Sequence, residues 1–199
     1  MNTAQKDIAA LIGSRICHDL ISPLGAIGNG VELLGMAGAV DGPEMALINE
    51  SVMNANARIR YFRIAFGAAR GGQMIGRNEI LSVLKDVGAG SRVQVDWSSE
   101  DQLLREQVKL AFLLIQCFES ALPYGGKIIV KQFGDSWTLQ CTAENIRIDP
   151  SVWEFLVSAN VSKEISPAEV HFALVPDAAK AAGRNLRTEL QDYAITLTF

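Results

Sequence analysis

Two runs of apolar residues at helical spacing constrain this chain more than anything else in it. In the first, Ile16, Leu20, Leu24, Ile27, Val31 and Leu34 recur at intervals of 4, 4, 3, 4 and 3. In the second, Met45, Ile48, Val52, Ala55, Ile59, Phe62 and Phe66 recur at 3, 4, 3, 4, 3 and 4. Such intervals keep apolar side chains on one stripe of an α-helix, the pattern of a coiled-coil seam. The spacing predicts one helix from near Thr3 to about Met36 and a second starting at Pro43, a residue suited to a first helical position. The stretch from Ala37 to Gly42 supplies the turn. Two long helices joined by a short loop read as an antiparallel hairpin. A hairpin cannot surround its own seam with apolar surface. The simplest cover is a second copy, giving a four-helix bundle in a homodimer; the alternative is the rest of the same chain.

The first helix carries more than a seam. At about 100° per residue, its apolar stripe lies roughly 160–240° away from His18. His18 therefore faces water, among Leu11, Ser14, Arg15, Ser22, Gly25 and Asn29 on nearby turns. That surface is mostly small, so another protein can bring its backbone close to the imidazole. Pro23 has no N–H for the carbonyl of Asp19, which predicts a kink after His18. Gly25, Gly28 and Gly30 follow, each costing about 1 kcal/mol relative to Ala inside a helix. A lone His on a solvated helix face is ordinarily just a surface residue. A helix that must bend and expose a bare patch beside a reactive His fits this combination better than a purely structural helix does.

The stretch His18-Asp19-Leu20-Ile21-Ser22-Pro23-Leu24 resembles the phospho-acceptor box of two-component histidine kinases. With Gly25-Ala26-Ile27-Gly28-Asn29-Gly30 after it, and Arg60 to Ala69 later, the chain is similar to the ChpT-type histidine phosphotransferases of alphaproteobacteria. The likeness is strongest over residues 14–69 and weaker beyond.

Beyond Gly71-Gly72, taken as the boundary between a domain of residues 1–70 and one of 71–199, the periodicity changes. A short helix is predicted over Asn78–Val87, a strand over Arg92–Trp97 and a long helix over Gln102–Leu122. A hairpin is predicted from Lys127–Phe133 and Trp137–Thr142, then helices over Pro150–Ser158 and Pro167–Ala182, the latter kinked or split by Pro176. A closing hairpin spans Leu186–Leu190 and Tyr193–Phe199. The fold class is α+β, with an α/β sandwich whose sheet is covered on one face. Trp97, Trp137 and Trp153 are assigned to the core or its rim, and His171, beside Phe172, to a structural role.

In element order the second domain resembles the ATP-binding domain of histidine kinases, but the residues that resemblance requires are missing. Gln116-Cys117-Phe118-Glu119-Ser120-Ala121 stands where those kinases present a Mg²⁺-holding Asn. Ala143 to Asp149 lacks the spaced glycines of the next box, and no glycine falls between Gly134 and Gly183, where a phosphate-cradling lid belongs. The resemblance thus implies a protein without ATP, whose phosphoryl group comes from another protein.

Composition narrows the partners. The 199 residues carry a net charge of −4 without a basic run, which argues against nucleic acid. Residues 1–7 are polar and lack the apolar core expected of a signal peptide, and no apolar run approaches the ~20 residues of a membrane span. The cysteines Cys17, Cys117 and Cys141 have no zinc-like spacing, and reduced thiols in a cytoplasmic protein fit best.

What the resemblance implies is a phosphorelay carrier. Neutral imidazole is a competent nucleophile near neutral pH. His18 would accept the phosphoryl group, Asp19 would orient the ring, and Arg15 would support the charge. Leu11, Ser14, Ser22, Gly25 and Asn29 would form the docking floor for receiver domains of a hybrid histidine kinase and of response regulators. The protein would hold no cofactor of its own, with Mg²⁺ in the receiver's acidic pocket. The rivals are an ATP-dependent histidine kinase with a divergent nucleotide site and a non-catalytic adaptor for response regulators.

Overall fold

The structure, a computed structural model, describes residues 3–36, 42–156 and 164–199; the side chains of residues 3–10, 12 and 14 lie outside the description. The predicted turn at 37–42 and the end of the helix read to Ser158 therefore fall largely outside it. The chain forms two compact units, Met1–Ala68 with Ser82–Ala89, and Ala69–Leu81 with Gly90–Phe199.

In the first unit, α1 runs over Thr3–Met36 and α2 over Pro43–Ala65, as the periodicity predicts. Pro23 lies inside α1 without ending it. The helices pack along their length: a Cβ on Gly28 would make ordinary contact with Val52 Cγ1 at 3.5 Å, and one on Gly13 with the Phe66 carbonyl oxygen at 3.6 Å. These two approaches, at opposite ends, make the helices antiparallel. The second half of α3 (Arg77–Gly88) joins this unit, where Arg60 on α2 donates to Asp86 Oδ2 at 2.7 Å and to Ser82 Oγ at 3.1 Å.

The seam itself is only partly covered. Cys17 on α1 and Val52, Ala57, Tyr61, Ile64 and Ala65 on α2 are buried. Ile16, Leu20, Ile27 and Leu34 remain 53%, 44%, 50% and 46% exposed. Leu24 and Val31, at the edge of that stripe nearer Cys17, are half-buried. On α2 the regular heptad does not coincide with the buried set: Ile48 is exposed, while Ala57, Tyr61 and Ile64 lie off the heptad and are buried. The helix buries more than one face, so one stripe does not describe its packing.

In the second unit, β1 (Met74–Gly76) pairs antiparallel with β3 (Gln102–Leu104). Neither strand is predicted from sequence, and β3 takes what reads as the first turn of the long helix. That helix, α4, accordingly starts later and runs over Arg105–Ala121. The main sheet has the order β2-β4-β5-β7-β6, from Val93–Ser98, Gly126–Phe133, Ser136–Thr142, Ala194–Thr198 and Arg187–Gln191. Only β2 and β4 are parallel, and α4 lies between them in the chain; every other pair is antiparallel. Trp137, Leu139 and Cys141 on β5 are fully buried and alternate with Thr138, Gln140 and Thr142 on the other face.

Helix α4 is buried nearly all round, from Val108 through Phe118, and packs against α6 (Val170–Ala181). Pro176 sits within α6 without splitting it. Trp137 anchors the core, with Trp97 at 5.5 Å and Phe199 stacked at 5.3 Å. Its indole N–H donates to the buried Gln107 Oε1 at 3.0 Å, satisfying both polar groups inside the core. Trp153, in the short α5 (Pro150–Trp153), contacts Phe118 and Phe172. The three tryptophans thus sit in the core or at its rim. Among the described residues no helix is long and apolar enough to cross a membrane.

Candidate functional site

The helical turn of α1 that carries Arg15, His18 and Asp19 faces away from α2. The His18 side chain is 83% exposed. Its Nδ1 lies 3.1 Å from Asp19 Oδ1, and the other carboxylate oxygen, Oδ2, accepts a hydrogen bond from Arg15 Nε at 2.7 Å. Asp19 is thus held from both sides. The His18 hydrogen bond, then that of Arg15, lowers the Asp19 pKa, so this carboxylate stays ionised. With Nδ1 engaged, the chemistry left to Nε2 is that of a lone pair directed at solvent; among the described residues nothing bonds it.

Around the ring the surface is open. Leu11, Ser22 and Asn29 are exposed, and a Cβ added to Gly25 would meet nothing within 4 Å. Ser14 is on the same helix, but its side chain lies outside the described residues. Pro23 has no N–H to donate to the carbonyl of Asp19, which therefore lacks its usual i+4 helical donor. Behind His18, Cys17 is buried; burial raises its pKa, and the positive charge of Arg63 on α2 opposes the rise. The sequence reading did not place Arg63 near this turn. An antiparallel pairing that sets Gly13 against Phe66 and Gly28 against Val52 would have brought it there.

The stretches that stand in place of a nucleotide site are occupied by bonds within the protein. On α4, Ser120 Oγ donates to the Gln116 carbonyl at 3.1 Å and lies 3.2 Å from His171 Nε2. Cys117 and Phe118 are fully buried. In the segment 143–149, Asp149 caps α5, accepting from Ser151 N at 3.0 Å and Ser151 Oγ at 2.6 Å. An Asp followed by Pro at the first helical position signals that cap in the sequence. Arg147 N donates to the Ala121 carbonyl, closing this segment onto the end of α4. Residues 157–163 of the expected lid lie outside the described residues; after them Ser166 and Glu169 form a reciprocal capping box. Among the described residues no group of three or more His, Cys, Asp or Glu side chains is arranged to hold a metal ion.

With this geometry in hand, the relatives are informative. A family model for the histidine phosphotransferase C-terminal domain matches residues 77–194. Protein phosphotransferase ChpT of Brucella abortus (strain 2308) is 37% identical over 154 residues, covering 74% of this chain and 73% of that protein. The chain belongs to the ChpT-type histidine phosphotransferases. The solved structure of a bacterial phosphotransferase superposes with a TM-score of 0.73 at 29% identity, covering 100% of this chain and 97% of the other. In this phosphotransferase, the family model covers the unit that lacks the kinase boxes, and His18 lies in the helices that precede it.

His171 makes the stability of the second unit depend on pH. It is buried against Phe172, at 4.6 Å between rings, and burial lowers its pKa from 6.5 to about 4, with Glu169 opposing. The neutral ring is therefore the form the fold favours. Its contribution to stability is complete above pH ~6.5 and is lost as pH falls toward 4. Between pH 7 and 5 we expect the wild type to lose about 1–2 kcal/mol more than a His171→Gln variant, measured by urea unfolding. Identical losses in the two proteins would contradict the assignment.

Proposed function

We propose that this protein is a phosphorelay carrier that takes a phosphoryl group from a receiver-domain aspartate onto His18 Nε2 and passes it to a second receiver. The observation that carries this reading is the exposed His18 ring, held at Nδ1 by Asp19 and unbonded at Nε2. In the forward step the Nε2 lone pair attacks phosphorus and the P–O bond to the receiver aspartate breaks, releasing its carboxylate. In the return step an acceptor carboxylate attacks, and the P–N electron pair goes back to Nε2. Positioning and charge neutralisation supply most of such a rate, with Mg²⁺ in the receiver's own acidic pocket. Leu11, Ser14, Ser22, Gly25 and Asn29 form the surface on which the receiver docks.

ATP has no part in this reading. The glycines that would let backbone approach a nucleotide are missing between Gly134 and Gly183. Asp149 is committed to a helix cap, and Ser120 to the Gln116 carbonyl and His171. These features support a second unit that keeps an ATPase-like fold without its nucleotide chemistry. The test is transfer between proteins. Radiolabelled phosphate on a receiver domain, charged without this protein, should move to the chain and on to a second receiver. Labelled ATP with Mg²⁺ alone should leave the chain unlabelled. Labelling from ATP, or failure to accept label from the receivers of hybrid kinases of its own organism, would refute the proposal.

The working assembly in this reading is a homodimer. Ile16, Leu20, Ile27 and Leu34 leave an apolar stripe of α1 exposed, and a second hairpin laid on it completes a four-helix bundle. Light scattering should give a dimer at micromolar concentration. Leu20→Asp should give a folded monomer, because a charge buried in that interface costs several kcal/mol. A stable wild-type monomer would exclude the bundle.

A further inference from the structure

The pairing of Arg15 with Asp19 has the wrong polarity to serve the helix. An i, i+4 ion pair stabilises a helix best with the acid N-terminal to the base, and here the order is reversed. As an exposed pair it adds little to stability. What the pair does achieve is local. An exposed Asp has two free side-chain torsions, and one 3.1 Å contact to the neighbouring imidazole would not hold it. The Arg15 Nε bond at 2.7 Å fixes the second oxygen, so that the first is presented to His18 Nδ1.

We propose that Arg15 is a positioning residue: by clamping Asp19 it holds His18 as the Nδ1–H tautomer, leaving Nε2 as the nitrogen that accepts phosphoryl. This rests on the relay reading for its biological use, but the clamp itself is a property of the unphosphorylated chain. The hydrogen bond made by one ring nitrogen decides which tautomer the other presents. The balance of the transfer explains why a shared carboxylate suits the task. When Nε2 bonds to phosphorus, the Nδ1 proton stays where it is and the ring becomes a phosphoimidazolium. Its positive charge then sits against Asp19. A carboxylate held by Arg15 is a weaker base, consistent with the lowered pKa of Asp19, and so does not remove that proton. The proton therefore remains available to make neutral imidazole the leaving group when the phosphoryl moves on.

This role differs from charge support to the phosphoryl group or to an acidic receiver surface, which would require the guanidinium to act on the partner. Two measurements separate them. The first is ¹⁵N NMR of the His18 ring in the full-length unphosphorylated protein. The wild type should show predominantly Nδ1–H, Asp19→Ala should lose that preference, and Arg15→Ala should move most of the way to Asp19→Ala. The second uses potassium phosphoramidate as donor, which has no docking surface. Its P–N bond breaks as Nε2 attacks, releasing ammonia. Arg15→Ala should slow phosphorylation of His18 roughly three- to tenfold, in the range of one charge-assisted hydrogen bond discounted for exposure. The double variant Arg15→Ala/Asp19→Ala should be no slower than Asp19→Ala alone, since Arg15 acts only through Asp19. An unchanged tautomer in Arg15→Ala, or additive losses in the double variant, would overturn the proposal. A chain that shows this tautomer pattern and reacts with phosphoramidate but never with a phosphorylated receiver would refute the relay and leave the clamp standing.

Discussion

The rotation of α1 about its own axis, fixed by its close approach to α2, determines what every other side chain on that helix can do. Packing that sets Gly28 beside Val52 and Gly13 beside Phe66 lets α2 cover the flank of α1 that carries Cys17. That contact leaves two strips free. One is apolar, from Ile16 to Leu34, and stays exposed in the single chain. The other holds Arg15, His18 and Asp19 and faces water. A one-residue shift of α1 would turn it by about 100° and exchange these roles. The same contact therefore leaves an exposed imidazole and an exposed apolar stripe on one helix.

The second unit is held by its core rather than by its loops. Its stability comes from α4, buried nearly all round between the sheet and α6, and from the aromatic cluster of Trp97, Trp137 and Phe199. None of those contacts requires a nucleotide. The positions where glycine would let backbone reach phosphates carry ordinary side chains, and their polar groups bond one another through Ser120, His171 and the Asp149 cap. Burial free energy scales with apolar area and is indifferent to those loops.

The long elements were legible because their periodicity extends over many residues. α1 and α2, the hairpin of β4 and β5, and the closing β6–β7 hairpin all lie within a few residues of their predicted places. β1 and β3 were not legible: three residues are too few for alternation, and what makes them strands is pairing across Met74↔Leu104 and Ile75↔Leu103, a contact remote in sequence. The α2 heptad misjudged which residues are buried, since Tyr61 and Ile64 lie off its stripe. At the site, the exposed His18 followed from helical geometry alone. The engagement of Arg15 with Asp19 was readable from their i, i+4 spacing, while the resemblance gave Arg15 a charge-supporting role.

Peptide mapping distinguishes phosphoryl transfer onto the single solvent-facing imidazole of His18 from transfer onto any other side chain. The chain would be exposed to a phosphorylated receiver domain, digested under alkaline conditions that preserve phosphoramidates, and sequenced by mass spectrometry. Phosphate is expected on the peptide containing His18, bonded to the ring, and on no other residue. Phosphate on His171, on a carboxylate or on a hydroxyl, with His18 unmodified, would contradict it.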